Sequence, residues 1–298
     1  MPRVSTAQFF DTTQRNIQNA KEKEAVSGEK ASSLKELSRP SQAPAEWLIV
    51  AGQKNDVSVR EGISKNASLA SHMINSTDGV ISQAQELVSK IHVLALSAVG
   101  NAVGDVSKHV LPEVQGLYEN FIQNLNTKFG SRTLLGGQKS GGPAFDIEGN
   151  FLGDSKKIEI EIDRGVFIPI NVSASQAILG EGVKDGVNII QAMKDLIQGL
   201  ATHNPDLVGG SLEVFTKATD QLSISRTQLA GSSLQIERSI ESNALGKIQQ
   251  LDAIAQIEEA NPIKVFSDLA RDQTVLRAAL ESSHKIMSES PADILLRP

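Results

Sequence analysis

The sequence contains no cysteine among its 298 residues. It therefore has no disulfide framework, no thiolate nucleophile and no cysteine ligand for zinc. Aromatic residues make up only 4% of the chain, with one Trp and one Tyr. So few aromatics argue against a large β-sandwich and against a surface on which nucleic-acid bases stack. The net charge of −6 gives no general attraction to nucleic acid or anionic lipid, so neither is predicted as a partner.

Long apolar runs are also missing. The densest is the short run 47–51, far below the ~18–20 residues that a membrane-spanning helix needs. The first ten residues lack the apolar segment of a secretory signal peptide. We therefore predict no membrane span, and we expect any export to depend on another kind of signal. Hydrophobic residues still make up 40% of the chain, which is enough to build a globular core.

Apolar residues at helical spacing predict several long helices. Within the segment Asn75–Gly100, the apolar residues from Val80 to Ala98 follow a 4-3-4-3-4 repeat. N-cap candidates at 75–78 come directly before this repeat. A second helix has its apolar stripe at Val106, Val110, Val114, Leu117, Phe121 and Leu125. Pro112 lies within a turn or two of its start and moves the expected start to about residue 111. Further helices are predicted over residues 187–200 and 211–260. In the last of these the stripe shifts register after Ile236, which we interpret as a stutter; the shifted stripe is Ile240, Ala244, Ile248, Leu251 and Ala255.

The middle of the chain changes period. A glycine-rich stretch over 136–153 is followed by isoleucines that alternate with acidic residues from Ile158 to Asp163. This alternation predicts a half-buried strand whose carboxylates form a solvated face. The next run, 166–172, contains Pro169 and is expected to be an edge or bulged strand. We therefore predict a small β module over residues 143–178.

No constellation of residues predicts catalysis or metal binding. No two of the five histidines stand at metal-ligand spacing, and the loop Gly136–Gly142 lacks the Gly-Lys-Ser/Thr ending of a phosphate-binding loop. We interpret that loop as a connector whose glycines adopt positive φ. The sequence thus predicts no cofactor, no metal and no enzyme.

Both ends of the chain carry weakly amphipathic helices behind proline-containing connectors. Residues 11–24 hold few apolar side chains, and the connector 38–44 contains two prolines. The last predicted helix carries apolar residues at helical spacing between Phe266 and Met287. Such helices need a partner, but the period does not say whether the partner lies in the same chain or in a neighbouring one.

Stretches in five regions, taken in order, are similar to those of bacterial flagellar hook–filament junction proteins. These hook-associated proteins of the FlgL type are short relatives of flagellin. Gln42-Ala43 stands where the family has an acidic pair, and residues 294–297 are closer to the end of a flagellin. The similar residues are Arg3-Val4-Ser5-Thr6 with Phe9-Phe10; Val26-Ser27-Gly28 with Arg39-Pro40-Ser41 and Pro44; Asn126-Thr127, Gly130, Arg132, Leu134, Gly136-Gly137, Pro143 and Phe145; the run IEIEIDRGVFIPINVS; and Leu269, Gln273-Thr274, Leu276 and Ala278-Ala279-Leu280.

The resemblance implies a mainly α fold with a small inserted β domain. It would be an elongated, flagellin-like bundle of long antiparallel helices, with the terminal helices forming a coiled-coil-like inner domain. Residues 1–45 and 262–298 would build that inner domain, residues 46–140 and 181–261 the two halves of the bundle, and residues 141–180 the outer β domain.

The resemblance also implies a function. The chain would be a structural subunit of the bacterial flagellum at the junction of hook and filament, exported by the flagellar type III apparatus without a cleaved signal peptide. Its partners would be identical subunits in a ring, a hook-associated protein on the hook side, flagellin on the filament side and an export chaperone on the C-terminal helix. The site would be extracellular.

The predicted subunit interface consists of apolar residues on the terminal helices. The resemblance favours contacts between subunits over contacts within one bundle. The residues are Phe9, Phe10, Ile17, Phe266, Leu269, Leu276, Leu280 and Met287. Two alternatives stay open: a flagellin-type filament subunit, and, in a different class, a coiled-coil signalling or adaptor protein, or an enzyme, with a β insert.

Overall fold

The computed structural model describes residues 6–100, 103–139 and 141–288, with side chains over 11–99, 109–139 and 141–285. It is mainly helical and contains two small antiparallel sheets, β1 with β2 and β3 with β4. This confirms the prediction of a mainly α protein with a small β insertion. The elements are α1 (Thr6–Ser33), α2 (Pro44–Gly100), α3 (Val103–Leu125), β1 (Lys128–Phe129), β2 (Arg132–Thr133), β3 (Glu159–Asp163), β4 (Val166–Pro169), α4 (Ala174–Ala177), α5 (Ile189–Thr202), α6 (Pro205–Glu258) and α7 (Pro262–Ser288).

The chain divides into two compact units. The body comprises residues 59–246, and the terminal unit comprises α1 through Ser58 together with Lys247 through α7. The boundary therefore falls inside α2 and inside α6. The boundaries predicted from the sequence, at residues 45 and 262, coincide instead with the first residues of α2 and α7. The five-part division of the chain stays a prediction.

The body has one large hydrophobic core, whose buried members lie between Ala67 and Ile236. The heptad stripe of α2 supplies Val80, Ala84, Ile91 and Ala98, as its spacing predicts. On α6, residues seven apart are buried as well: Phe215, Leu222, Leu229 and Ile236. Burial of each large side chain contributes about 1.5–3 kcal/mol, so these stripes account for the long helices better than intrinsic propensity does.

The predicted helix starts at residues 75 and 111 are wrong. Helix α2 begins at Pro44, whose fixed φ and missing N–H suit a first helical position. The polar cluster at 75–78 lies inside the helix, where the Thr77 hydroxyl donates to the Met73 carbonyl at 2.8 Å. Helix α3 begins at Val103 and continues through Pro112. Burial of Val114 and Phe121 offsets a proline penalty of about 3 kcal/mol.

The predicted stutter in α6 is also wrong. The buried positions keep their seven-residue repeat from Ile236 to Asn243, which is 3% exposed. In the shifted apolar stripe, Ile248 is 56% and Leu251 44% exposed, and only Ile240 packs against the core of the body. Hydrophobic periodicity gave the wrong register because Asn243 is polar, yet its side chain is fully engaged in hydrogen bonds that only the fold reveals.

The β insertion is a hairpin. Ile160 pairs with Ile168 and Glu161 with Phe167, and the register shifts between Glu161 and Asp163. Pro169 ends β4, in agreement with the predicted edge strand. Two of the predicted solvated carboxylates close the turn, since Glu161 accepts from the Gly165 N–H at 2.9 Å and Asp163 accepts from the Arg164 N–H at 2.8 Å.

The glycine-rich connector has a specific geometry at Gly137. This residue has φ +71°, and a Cβ there would lie 2.1 Å from the carbonyl oxygen of Asp154. The Asp154 carboxylate accepts from the Gln138 N–H at 2.8 Å, and this hydrogen bond lowers the pKa of that carboxyl. In this loop the backbone at Gly137 therefore packs directly against the backbone at Asp154.

Candidate subunit interface

Helices α1 and α7 pack against each other in the terminal unit. The pairing is antiparallel, because Leu34 bonds with Ala260 at the base while Ser27 contacts Asp272 further along. Each helix turns its least exposed residues to the other at a 4-3-4-3-4 spacing, the pattern of a coiled coil. We call these residues the inner seam: Thr13, Ile17, Ala20, Glu24, Ser27 and Ala31 on α1, and Val265, Leu269, Asp272, Leu276, Ala279 and Ser283 on α7.

The inner seam is thin. Only Ala20 and Val265 are buried, and the seam includes the polar pair Ser27 and Asp272, joined by a hydrogen bond of 2.5 Å. Asp272 also lies 3.5 Å from Arg271, whose guanidinium pairs with Asp268 at 3.0 Å. Two helices with so little apolar contact are marginal in water.

The described part of the terminal unit exposes more large apolar side chains than it buries. Its buried apolar residues are Ala20, Leu37, Val50, Ile254, Ala260 and Val265. Its exposed ones are Val26, Leu34, Leu48, Ile49, Ile248, Leu251, Ile263, Phe266, Val275 and Leu280. None of the residues of the large core cluster belongs to this unit. An exposed apolar surface of this extent is typical of a contact with another chain.

Helix α7 carries a second seam beside the first. Every position is displaced by one residue from the inner seam, and every one is exposed. Phe266 is 54% and Leu280 45% exposed. We call this set the outer seam: Phe266, Ala270, Gln273, Arg277, Leu280 and His284. Because α7 turns one seam to α1, the outer seam is available to a further helix.

Residues 4–140 match the family model described as the bacterial flagellin N-terminal helical region. A protein of Vibrio parahaemolyticus described as a flagellar hook-associated protein has a similar structure. The TM-score is 0.67 at 14% identity, and the match covers 73% of this chain and 100% of that one. The chain therefore shares the fold of this hook-associated protein. FlgL of Bacillus cereus matches with a TM-score of 0.58 at 12% identity, over 67% of this chain and 96% of FlgL.

The flagellar junction protein FlgL of Legionella pneumophila has the same fold. Its TM-score is 0.55 at 11% identity, over 72% of this chain and 99% of FlgL. At such identities the similarity establishes the fold, and it confirms the predicted flagellin-like architecture. No curated protein sequence is significantly similar to this one.

The flagellin-like structure divides the predicted interface residues into two sets. Ile17, Leu269 and Leu276 lie on the inner seam, between α1 and α7 of one chain. Phe266 and Leu280 lie on the outer seam. The side chains of Phe9, Phe10 and Met287 lie outside the described residues. Apolar spacing could not separate the two seams, because Glu24 and Asp272 occupy inner positions and disguise the repeat.

Sequence reasoning missed the base of the α1–α7 pair. Leu37 and Ala260 are buried there, and Glu258 is only 8% exposed although it is charged. A glutamate that stands beside another glutamate and near amide residues gives no sign in the sequence that it is buried. In the described part of the chain, no helix has the length and apolar character that crossing a bilayer requires. Within the same residues, no cluster of three His, Cys, Asp or Glu side chains could hold a metal ion.

Proposed function

We propose that this flagellin-like protein is a structural subunit of the bacterial flagellum that joins hook to filament, and is not an enzyme. The observation that carries the proposal is the terminal unit, which exposes Phe266, Leu280 and other large apolar side chains while the body keeps a core of its own. A unit whose described residues bury so few large apolar side chains gains stability by packing against the same unit of neighbouring chains.

The proposed interface follows the two seams. Ile17, Leu269 and Leu276 hold α1 and α7 of one chain together, and Phe266 and Leu280 contact an identical subunit. Phe9, Phe10 and Met287 belong to the same interface in this proposal. Residues 1–45 and 262–298 form the inner domain, residues 46–140 and 181–261 the bundle, and residues 141–180 the outer β domain.

The remaining partners follow from the junction role. A hook-associated protein binds on the hook side, flagellin binds on the filament side, and a cytoplasmic chaperone binds the C-terminal helix before export. Export uses the flagellar type III apparatus without a cleaved signal peptide and delivers the subunit to the extracellular flagellum. Two solved proteins with this fold are described as a flagellar hook-associated protein and a flagellar junction protein, which supports this role.

A filament subunit is the second candidate, because the matching family model is that of flagellin itself. Electron microscopy of a deletion strain, with the medium blotted for the major flagellin, separates the two. A junction subunit predicts hooks without filaments and flagellin shed into the medium. Absent filaments with no other flagellin shed would favour the filament subunit. Normal flagella would contradict both.

A further inference from the structure

The end of α6 carries a charge in an unfavourable position. Glu258 is the last residue of that helix, where unpaired carbonyl groups repel a carboxylate. Its side chain is 10% exposed. A buried carboxylate at a helix C-terminus needs compensating partners, and the structure supplies two of them.

Both partners are lysines from other segments of the terminal unit. Lys35 Nζ lies 2.6 Å from Oε1 of Glu258, and Lys54 Nζ lies 2.7 Å from Oε2. Each carboxylate oxygen thus has its own cation. Lys35 follows α1 in the chain and Lys54 lies on α2, so one side chain joins three segments. Burial is the largest influence on the pKa of Glu258 and raises it, but hydrogen bonds and charges of both lysines bring the pKa below its ordinary value.

Main-chain hydrogen bonds also join the segment after α1 to the end of α6. The Glu36 N–H donates to the carbonyl of Glu258 at 2.8 Å, and the Ala260 N–H donates to the carbonyl of Leu34 at 3.0 Å. Leu34 adopts φ +53°, a left-handed conformation that leucine rarely takes. This strained residue lies where the chain leaves α1 and contacts the segment that leads into α7.

We propose that Glu258 is a latch that fastens the bases of α1 and α7 in the single chain, so that both terminal helices gain and lose order together. Over the side chains that the structure describes, the inner seam buries too little apolar surface to hold the two helices by itself. Most of the buried apolar residues of the terminal unit lie within a few residues of the latch: Leu37, Val50, Ile254 and Ala260. The latch concerns the free monomer and goes beyond the proposed assembly role.

Amide hydrogen exchange of the full-length monomer, followed by mass spectrometry, tests the latch. Glu258→Gln keeps the shape but removes the charge. We expect exchange in both α1 and α7 to accelerate by about tenfold, since local opening governs protection. The body helices α3 and α5 should keep their wild-type rates. The matched control is Glu259→Gln, because Glu259 is exposed and has no ion pair within the described residues.

Unchanged protection of α1 and α7 in Glu258→Gln would overturn the latch, as would equal effects of the two glutamate variants. Acceleration in only one helix would overturn the claim that they open together. If Glu258→Gln fails to fold, Lys54→Met and Lys35→Met provide the same test, because each removes one of the two cations. None of these measurements depends on assembly, so they are independent of the proposed function.

Discussion

The side-chain oxygen of Asn243 lies 3.1 Å from Nη1 of Arg60, while its amide nitrogen lies 3.2 Å from the carbonyl oxygen of Ile162. A single buried amide on α6 therefore joins α2 to the β3–β4 hairpin. The Ser239 hydroxyl donates to the same carbonyl of Ile162. Because a strand edge carries unpaired carbonyl groups, these contacts add to the burial of Ile162 and Ile168 in holding the hairpin in the body.

Replacing Asn243 with an apolar residue should destabilise the body, although heptad positions commonly hold leucine. Asn243→Leu removes the partner of Arg60 and a donor to Ile162, and we expect a loss of about 1–3 kcal/mol. Urea denaturation measures it. The control Ser242→Leu places the same side chain on an exposed neighbouring position and should change stability by less than about 0.5 kcal/mol. A stabilised Asn243→Leu variant would contradict the role given to these hydrogen bonds.

The glycine at position 137 should not tolerate a side chain. Gly137→Ala combines a positive φ with a Cβ that would lie 2.1 Å from the Asp154 carbonyl oxygen, so backbone must move. We expect a loss of more than about 2 kcal/mol in thermal or urea unfolding of the body. Gly142→Ala is the matched control, because its Cβ would meet nothing within 4 Å. Equal stability of the two variants would show that the close contact between Gly137 and Asp154 is not required for the stability of the body.

The inner seam should be needed for the pairing of α1 with α7. Leu276→Asp places a carboxylate on this seam, on the same side as Asp272, and both helices should lose protection from hydrogen exchange. The body should remain folded, since its core has no residue from the terminal unit. Assembly should be abolished. A normal filament produced by this variant would refute the claim that assembly needs α1 and α7 paired through the inner seam.

Acid should open the terminal unit through Glu258. The charged groups facing this carboxylate are Lys35 and Lys54. Because the pKa of Glu258 is lower in the folded chain, its contribution is complete above the ordinary value of 4.5 and disappears as the pH falls through the lowered pKa. The protection factors of α1 and α7, which compare each exchange rate with the intrinsic rate at the same pH, should therefore fall as the pH is lowered well below 4.5.

Two variants check that assignment. In Glu258→Gln the acid-induced change in α1 and α7 should be smaller than in the wild type, since the titrating group is gone. In Glu259→Gln it should equal that of the wild type. An acid response that survives unchanged in Glu258→Gln would assign it to other carboxylates.

The sequence predicted the helices wherever apolar residues alone filled the buried positions. Phe215, Leu222 and Leu229 are an example. It failed at places where a polar residue is buried, because hydrogen-bond partners distant in sequence decide such burial. Asn243 changed the apparent register of α6, and Asp272 disguised the inner seam of α7. Glu258 carried no signal, since its two lysines are brought to it only by the fold.

The predicted helix starts at residues 75 and 111 were wrong for a related reason. Thr77 is a good N-cap in isolation, but inside a helix its hydroxyl can bond to the preceding turn, as it does with the Met73 carbonyl. Pro112 disfavours a helix interior, yet packing of the surrounding valines and phenylalanine outweighs it. Local preference is a weak guide when one face of a helix is fully buried.

The central claim is that the outer seam joins one subunit to the next. It is tested most directly by complementing the deletion strain with Phe266→Asp and with Ser267→Asp, and counting filaments by electron microscopy. The two variants introduce the same charge at exposed neighbouring positions, but only Phe266 lies on the outer seam. The account predicts bare hooks with Phe266→Asp and normal filaments with Ser267→Asp, both proteins being present at equal level. Normal filaments with Phe266→Asp would contradict it.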